Sequence, residues 1–210
     1  MDAIPPAHGL RPDVRADART VPWAAALVAT ALCFCYTLPF LGWLPLTGGM
    51  EANVVIAARE AVRDGHWFPG TQNGAPRLRK PPLAHWTTAV GIMTARQWPS
   101  ATAARWPTLL MASVTVGAVV VLGALVLGRE GGLASGVVAA TVMLFVTYAR
   151  KASYDTQVTL WTTLADVGLA YALFRGRKWG LVVAGVALVI LLPTVMLATA
   201  QIWEVVSRRA

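Results

Sequence analysis

Residues 106–128 read WPTLLMASVTVGAVVVLGALVLG, with no charge among them, and beyond Arg129-Glu130 a second uncharged run, Gly131–Ala149, reads GGLASGVVAATVMLFVTYA. Crossing the hydrocarbon of a bilayer takes roughly 20 apolar residues at about 1.5 Å each, and both runs meet that length. Outward from this pair, Thr20–Met50 and Trp179–Trp203 are also uncharged and longer still. Thr156–Phe174 adds a run interrupted only by Asp166. The whole chain agrees: 56% of its 210 residues are hydrophobic and 13% charged, against roughly 25% charged in soluble domains. So few charges cannot coat a soluble domain. The apolar content excludes disorder, and the lack of a glycine period excludes collagen. The expected fold class is an all-α integral membrane protein with about five transmembrane helices.

Cys33 and Cys35 lie inside an apolar run and provide neither a disulfide framework nor a zinc site. The net charge of +8 would suit nucleic acid, but its carriers flank the apolar runs: Arg15, Arg19, Arg129, Arg150, Lys151, Arg175, Arg177, Lys178, Arg208 and Arg209. Orientation signals and lipid headgroup contacts sit there, so no nucleic-acid partner is expected. The mostly polar residues 1–19 read as a cytoplasmic tail, 20–203 as the membrane domain and 204–210 as a second tail. Spans are expected at about 22–44, 107–128, 131–149, 157–174 and 179–202. The first is expected to be a retained helix, because 19 mostly polar residues precede it and cleavable signals are short and N-terminal. The connections at Arg129-Glu130 and Arg175–Lys178 are too short to hold a site.

That leaves an outer loop, 45–105, with most of the unusual chemistry. Glu51–Asp64 has helical period, with Val54, Val55, Ala58, Ala61 and Val62 on one face and Asn53, Arg59, Glu60, Arg63 and Asp64 on the other. It is expected to lie on the membrane as an interfacial helix. Glu51 breaks the pattern by falling on the apolar face, where a carboxylate is expensive without a partner or a role; a simple helix-start Glu is the plainer alternative. Asn73-Gly74 signals a turn. Lys80-Pro81-Pro82 holds a lysine stiffly before a helix at about Leu83–Ala95, too short to cross. With that helix not crossing and the N-terminus cytoplasmic, the loop and Asp155 share the outer side. Lysine and arginine in the short loops then number 7 inside and 4 outside, the sense expected of inward-facing charge.

In order along the chain, Gly49-Met50-Glu51-Ala52-Asn53, Arg59-Glu60, Gly65-His66-Trp67-x-Pro69, Asn73-Gly74-x-Pro76-x-Leu78-x-Lys80-Pro81-Pro82-Leu83, His85-Trp86, Ala104-Arg105-Trp106-Pro107 and Ser153-Tyr154-Asp155 resemble the signatures of GT-C integral-membrane glycosyltransferases. The likeness is to the group of the lipid A aminoarabinose transferase and the protein O-mannosyltransferases, and covers about residues 22–180, the N-terminal part of such an enzyme. It implies transfer of a sugar from a polyprenyl-phosphate carrier to a lipid, glycan or protein acceptor. The site would face the periplasm or outside of a multi-pass protein of the cytoplasmic (inner) membrane. A positioned carboxylate would take the acceptor proton, Glu51 or Asp155 here. Lys80, Arg79 and Arg77 would hold the lipid phosphate and offset its charge as it leaves, with His85 a further contact. Plain headgroup binding is the alternative for the basic cluster, and an interfacial hydrogen-bonded histidine for His85. The scheme requires neither metal nor cofactor.

The departures are specific. Met50 stands where the family has its first acid, Asn53 where it has Arg, His66 where it has Asp, and Arg79 where many members have Glu. Most members are longer, so the chain is also read as a possible fragment. The alternative function is a catalytically inactive, truncated lipid-phosphate-binding or assembly protein; a small transporter fits least, for want of an inverted repeat. Asp166 lies eleven residues after Asp155, on roughly the same helix face. It is expected to face the bundle interior, with a structural partner or a role at the site. Gly123, Gly136 and Gly168 are expected at helix contacts.

Overall fold

A computed structural model of the chain describes residues 21–46, 49–68, 70–76, 82–95 and 100–191. The tails at 1–19 and 204–210, the segment 77–81 with Arg77, Arg79 and Lys80, and the last part of the fifth expected span lie outside the described residues. The described part is mostly helical: α1 (Trp23–Thr37) with a 3₁₀ turn at Leu38–Phe40, α2 (Gly49–Asp64), a two-stranded hairpin of β1 (Thr71–Gln72) and β2 (Ala75–Pro76), α3 (Leu83–Met93), α4 (Ala101–Thr141), α5 (Met143–Ala149), α6 (Asp155–Arg175) and α7 (Trp179–Leu191). Two stretches are long and apolar enough to cross a membrane, Trp23–Phe40 and Ala101–Thr141.

Helix α4 is a helical hairpin. Gly128 has φ 82° and ψ 177°, a backbone that a residue with a Cβ rarely adopts, and there the chain reverses. The two arms then close through glycines. A Cβ on Gly132 would lie 2.6 Å from the Val120 carbonyl, and one on Gly123 would lie 2.7 Å from Ser135 Oγ, so only small residues allow this approach. A second hairpin turns at Gly176, the left-handed C-cap of α6. It brings Gly168 against Gly180 and Ala184 of α7. Gly123, Gly136 and Gly168 thus stand at helix contacts, as their positions in the apolar runs predicted.

The expected span 131–149 is interrupted. Val142 is extended (φ −60°, ψ 115°), separating α4 from α5. The Thr141 hydroxyl donates to the carbonyls of Val137 and Val138 at 2.8 and 3.2 Å, a local bond that competes with the helix ladder and bends it.

Two ends of the bundle are distinct. At one, the Trp23 ring stacks on Tyr171, 6.3 Å between centroids, and Tyr171 meets Trp179 at 4.7 Å. This gathers the start of α1, the end of α6 and the start of α7. At the other, the Arg150 guanidinium donates to the Phe40 carbonyl at 2.9 Å, and the outer loop packs over the end of α1, the start of α4 and the α5–α6 turn.

Helix α2 differs from its expected setting. Its apolar stripe meets protein rather than lipid: Ala58 packs with Ala89, Ile92 and Ala104, and Val54 with Ala84 and Ala152. Val62 remains exposed. Its polar face is covered as well. Asn73 and Gly74, both at positive φ, make the two-residue turn that suits a hairpin, and the hairpin docks on Glu60 and Asn53. The Glu60 carboxylate accepts from the Thr71 hydroxyl, from Asn73 N–H at 2.6 Å and from Gly74 N–H at 3.4 Å, while Gln72 Nε2 donates to Asn53 Oδ1 at 2.5 Å. Burial raises the Glu60 pKa, but these three donors outweigh it and hold the carboxyl below the usual glutamate value. A lowered native pKa gives stability that is present above the ordinary glutamate value and lost as pH falls through the native one. Amide exchange at Asn73 and Gly74, taken relative to its intrinsic rate at each pH, is therefore expected to speed up in acid. Glu60→Gln should speed it roughly tenfold at neutral pH, the scale of one charge-assisted hydrogen bond, and remove the acid dependence. Hydrogen–deuterium exchange checks both; unchanged exchange in Glu60→Gln would disprove the docking.

Candidate functional site

Helices α2 and α4 and the two turns beside them converge on one ion pair. Glu51, in the first turn of α2, is 4% exposed, and Arg105, in the second turn of α4, is 2% exposed. Arg105 Nε donates to Glu51 Oε1 at 2.7 Å and Nη2 to Oε2 at 2.9 Å, a bidentate fork. Nη1 donates to the carbonyls of Leu41 and Leu44, each at 2.7 Å, and Nη2 to that of Pro45 at 3.0 Å. All five guanidinium N–H groups are matched. Glu51 Oε1 also accepts from Ala152 N–H at 2.9 Å. One pair thus ties together the turn after α1, the start of α2, the start of α4 and the α5–α6 turn. The wheel position of Glu51 signalled a partner or a role. The partner stands far along the chain, in α4 as the last charge before its uncharged run 106–128, a position where a charge also needs company.

Asp155 opens α6 three residues beyond that lock. It is half-buried, and among the described residues its carboxylate has no ion-pair or hydrogen-bond partner. It borders an open cleft of about 300 Å³ lined by Val142, Leu144, Phe145, Tyr148, Thr156 and Thr159. The cleft lies between α5 and α6, beside the break at Val142. The helix N-terminus favours an anion at this position. Close by, Ser153 Oγ and Arg150 Nε are buried and have no hydrogen-bond partner among the described residues. Tyr154 Oη donates to Met50 Sδ at 3.2 Å, so the start of α2 also touches the residue that precedes Asp155.

His85 is buried on α3. Its Nε2 lies 3.3 Å from the Trp67 carbonyl, which also accepts from Trp86 Nε1 at 2.8 Å, and its ring packs on Gly70. Helix α3 reaches the Asp155 turn directly: Ala84 packs with Ala152, and Gln157 Nε2 donates to Thr87 Oγ1 at 2.6 Å. Glu51, His85 and Asp155 are therefore carried by segments that touch one another. Arg77, Arg79 and Lys80 lie outside the described residues. Asp166 does not face the interior as expected. It is exposed, because the buried faces of α6 carry Val167, Gly168, Ala170 and Tyr171.

The family model described as dolichyl-phosphate-mannose-protein mannosyltransferase matches residues 79–208, more than half of the chain. No curated protein and no solved structure matches.

Proposed function

Since the chain belongs to the dolichyl-phosphate-mannose-protein mannosyltransferase family, and is thereby a membrane glycosyltransferase of the GT-C kind, we propose that it transfers a sugar from a polyprenyl-phosphate carrier to a hydroxyl of a lipid, glycan or protein at the Asp155 end of the bundle. The observation that carries this reading is the Asp155 carboxylate, unpartnered among the described residues and bordering a mostly apolar cleft. A general base needs a carboxylate that is not already engaged and can reach the acceptor proton; a lipid-borne substrate needs an apolar wall. Glu51 fails the first condition, since Arg105 and Ala152 occupy its carboxylate. Its part is to position the loop.

In the proposed step, Asp155 takes the proton from the acceptor hydroxyl as the oxygen attacks the anomeric carbon. The bond from that carbon to the phosphate oxygen breaks, and polyprenyl phosphate leaves. Lys80, Arg79 and Arg77 offset the charge that grows on it. Lys80 lies four positions before Ala84, at most about 14 Å of chain, and Ala84 packs beside the Asp155 turn. His85, on α3, is a further contact for the donor. The bundle crosses five times, with this end on the outer face of the inner membrane.

Purified chain given a polyprenyl-phosphate-linked sugar and membrane acceptors should release free polyprenyl phosphate. Lys80→Ala should raise the donor KM about tenfold or more, as loss of one charged phosphate contact does. Donor binding without release would instead favour the lipid-phosphate-binding alternative.

A further inference from the structure

Helix α6 has a third face that neither α4 nor α7 covers. Thr159, Thr162, Asp166, Leu169 and Leu173 are all exposed, and at 100° per residue they fall with Asp155 within one narrow stripe. The threonine hydroxyls are satisfied locally, Thr159 by the Asp155 carbonyl at 2.9 Å and Thr162 by that of Val158 at 2.8 Å. Asp166 has no such recourse: among the described residues nothing bonds its carboxylate. Eleven residues below Asp155, it stands about 16 Å into the membrane, near the midplane of a hydrocarbon layer roughly 30 Å thick. This depth rests on the five-crossing reading above.

We infer that this face of α6 is the docking site for a partner transmembrane helix that presents a Lys, Arg or amide side chain to Asp166 at mid-depth. Charge complementarity decides among occupants. Acyl or prenyl chains offer a carboxylate no donor, and its exposure to them is expensive. A second copy of this chain, packed on the same face, would set Asp166 against Asp166, two like charges. A cationic or amide donor on a neighbouring helix satisfies the group, and Leu169 and Leu173 extend the same stripe as apolar contact below it.

A photo-crosslinking residue placed at Leu169 or Leu173, in the full chain and in its native membrane, tests this. The expected result is one discrete protein adduct whose crosslinked peptide is an apolar segment bearing Lys, Arg, Asn or Gln within a turn of the crosslink. Asp166→Leu should reduce it at least tenfold and Asp166→Asn should retain much of it. The same residue at Leu32, exposed on α1, should give lipid adducts only. Lipid-only adducts at Leu169 and Leu173, adducts to a second copy or to residues 192–210, or adducts indifferent to Asp166→Leu would each overturn the interface while leaving the crossing reading intact. Labelling of Asp166→Cys by a water-soluble maleimide, in a background lacking Cys33 and Cys35, would overturn both.

Discussion

Arg105→Ala is expected to lower folding stability by about 3–5 kcal/mol, the usual consequence of leaving one charge of a buried pair uncompensated. For a chain of this size that is a fall in Tm on the order of 10 °C, measurable by thermal unfolding in detergent. The substitution strips five hydrogen bonds at once and strands Glu51, 4% exposed, with only the Ala152 amide for company. The carbonyls of Leu41, Leu44 and Pro45 lose their shared donor as well. Arg105→Lys should recover less than half of the loss, since an ammonium has three donors on one point and cannot reproduce the planar fork. Glu51→Gln should also destabilise, because the guanidinium then lies buried without a counter-charge. Replacing both partners by methionine should be milder than either single change, as the desolvation of both ions disappears together. A stable Glu51→Gln protein with its transfer activity abolished would reverse the assignment and make Glu51 the base.

The helical stretches were legible because their signal is local: a charge-free run of about 20 residues needs no knowledge of its neighbours. The same holds for the Asn73-Gly74 turn, whose two positive φ values follow from residue type, and for the glycines of the two hairpins. What was not legible depends on partners distant in sequence. Glu60 reads as a solvent-facing residue beside Arg59, Arg63 and Asp64, because helical period sorts residues by polarity and cannot tell that a hairpin further along will supply three donors to it. The apolar stripe of α2 looked like a membrane-facing surface; α3 and α4 claim it instead. Glu51 and Arg105 each stood out as a charge in an apolar setting, yet only the fold pairs them. Asp166 failed for the opposite reason. The rule that intramembrane carboxylates point inward takes no account of what the inward faces must pack, and on α6 those faces carry small and apolar side chains.

Asp155→Asn is expected to slow sugar transfer by about 10²–10⁴-fold, the range a positioned general base contributes, with little effect on Tm. The two halves of that expectation have separate grounds. Among the described residues the Asp155 carboxylate supports no ion pair or hydrogen bond, so its loss removes no packing; the neutral amide gives up only the favourable term between an anion and the start of α6, about 0.3–1 kcal/mol. The loss of rate should fall on kcat rather than on the donor KM, since the base acts on the acceptor as the transition state forms. Lys80→Ala shows the reverse split if it grips the phosphate in the ground state. Asp155→Glu keeps the carboxylate but moves it by a methylene, and should retain measurable activity below the native level, as misplacement of a reacting group by about 1 Å costs on the order of 10²-fold. Steady-state release of polyprenyl phosphate, with Tm followed on the same preparations, separates these cases. Full activity in Asp155→Asn would remove the base from α6. A matching collapse of Tm would mean that the carboxylate holds the α5–α6 turn together, and the cleft it borders would then need another source of proton transfer.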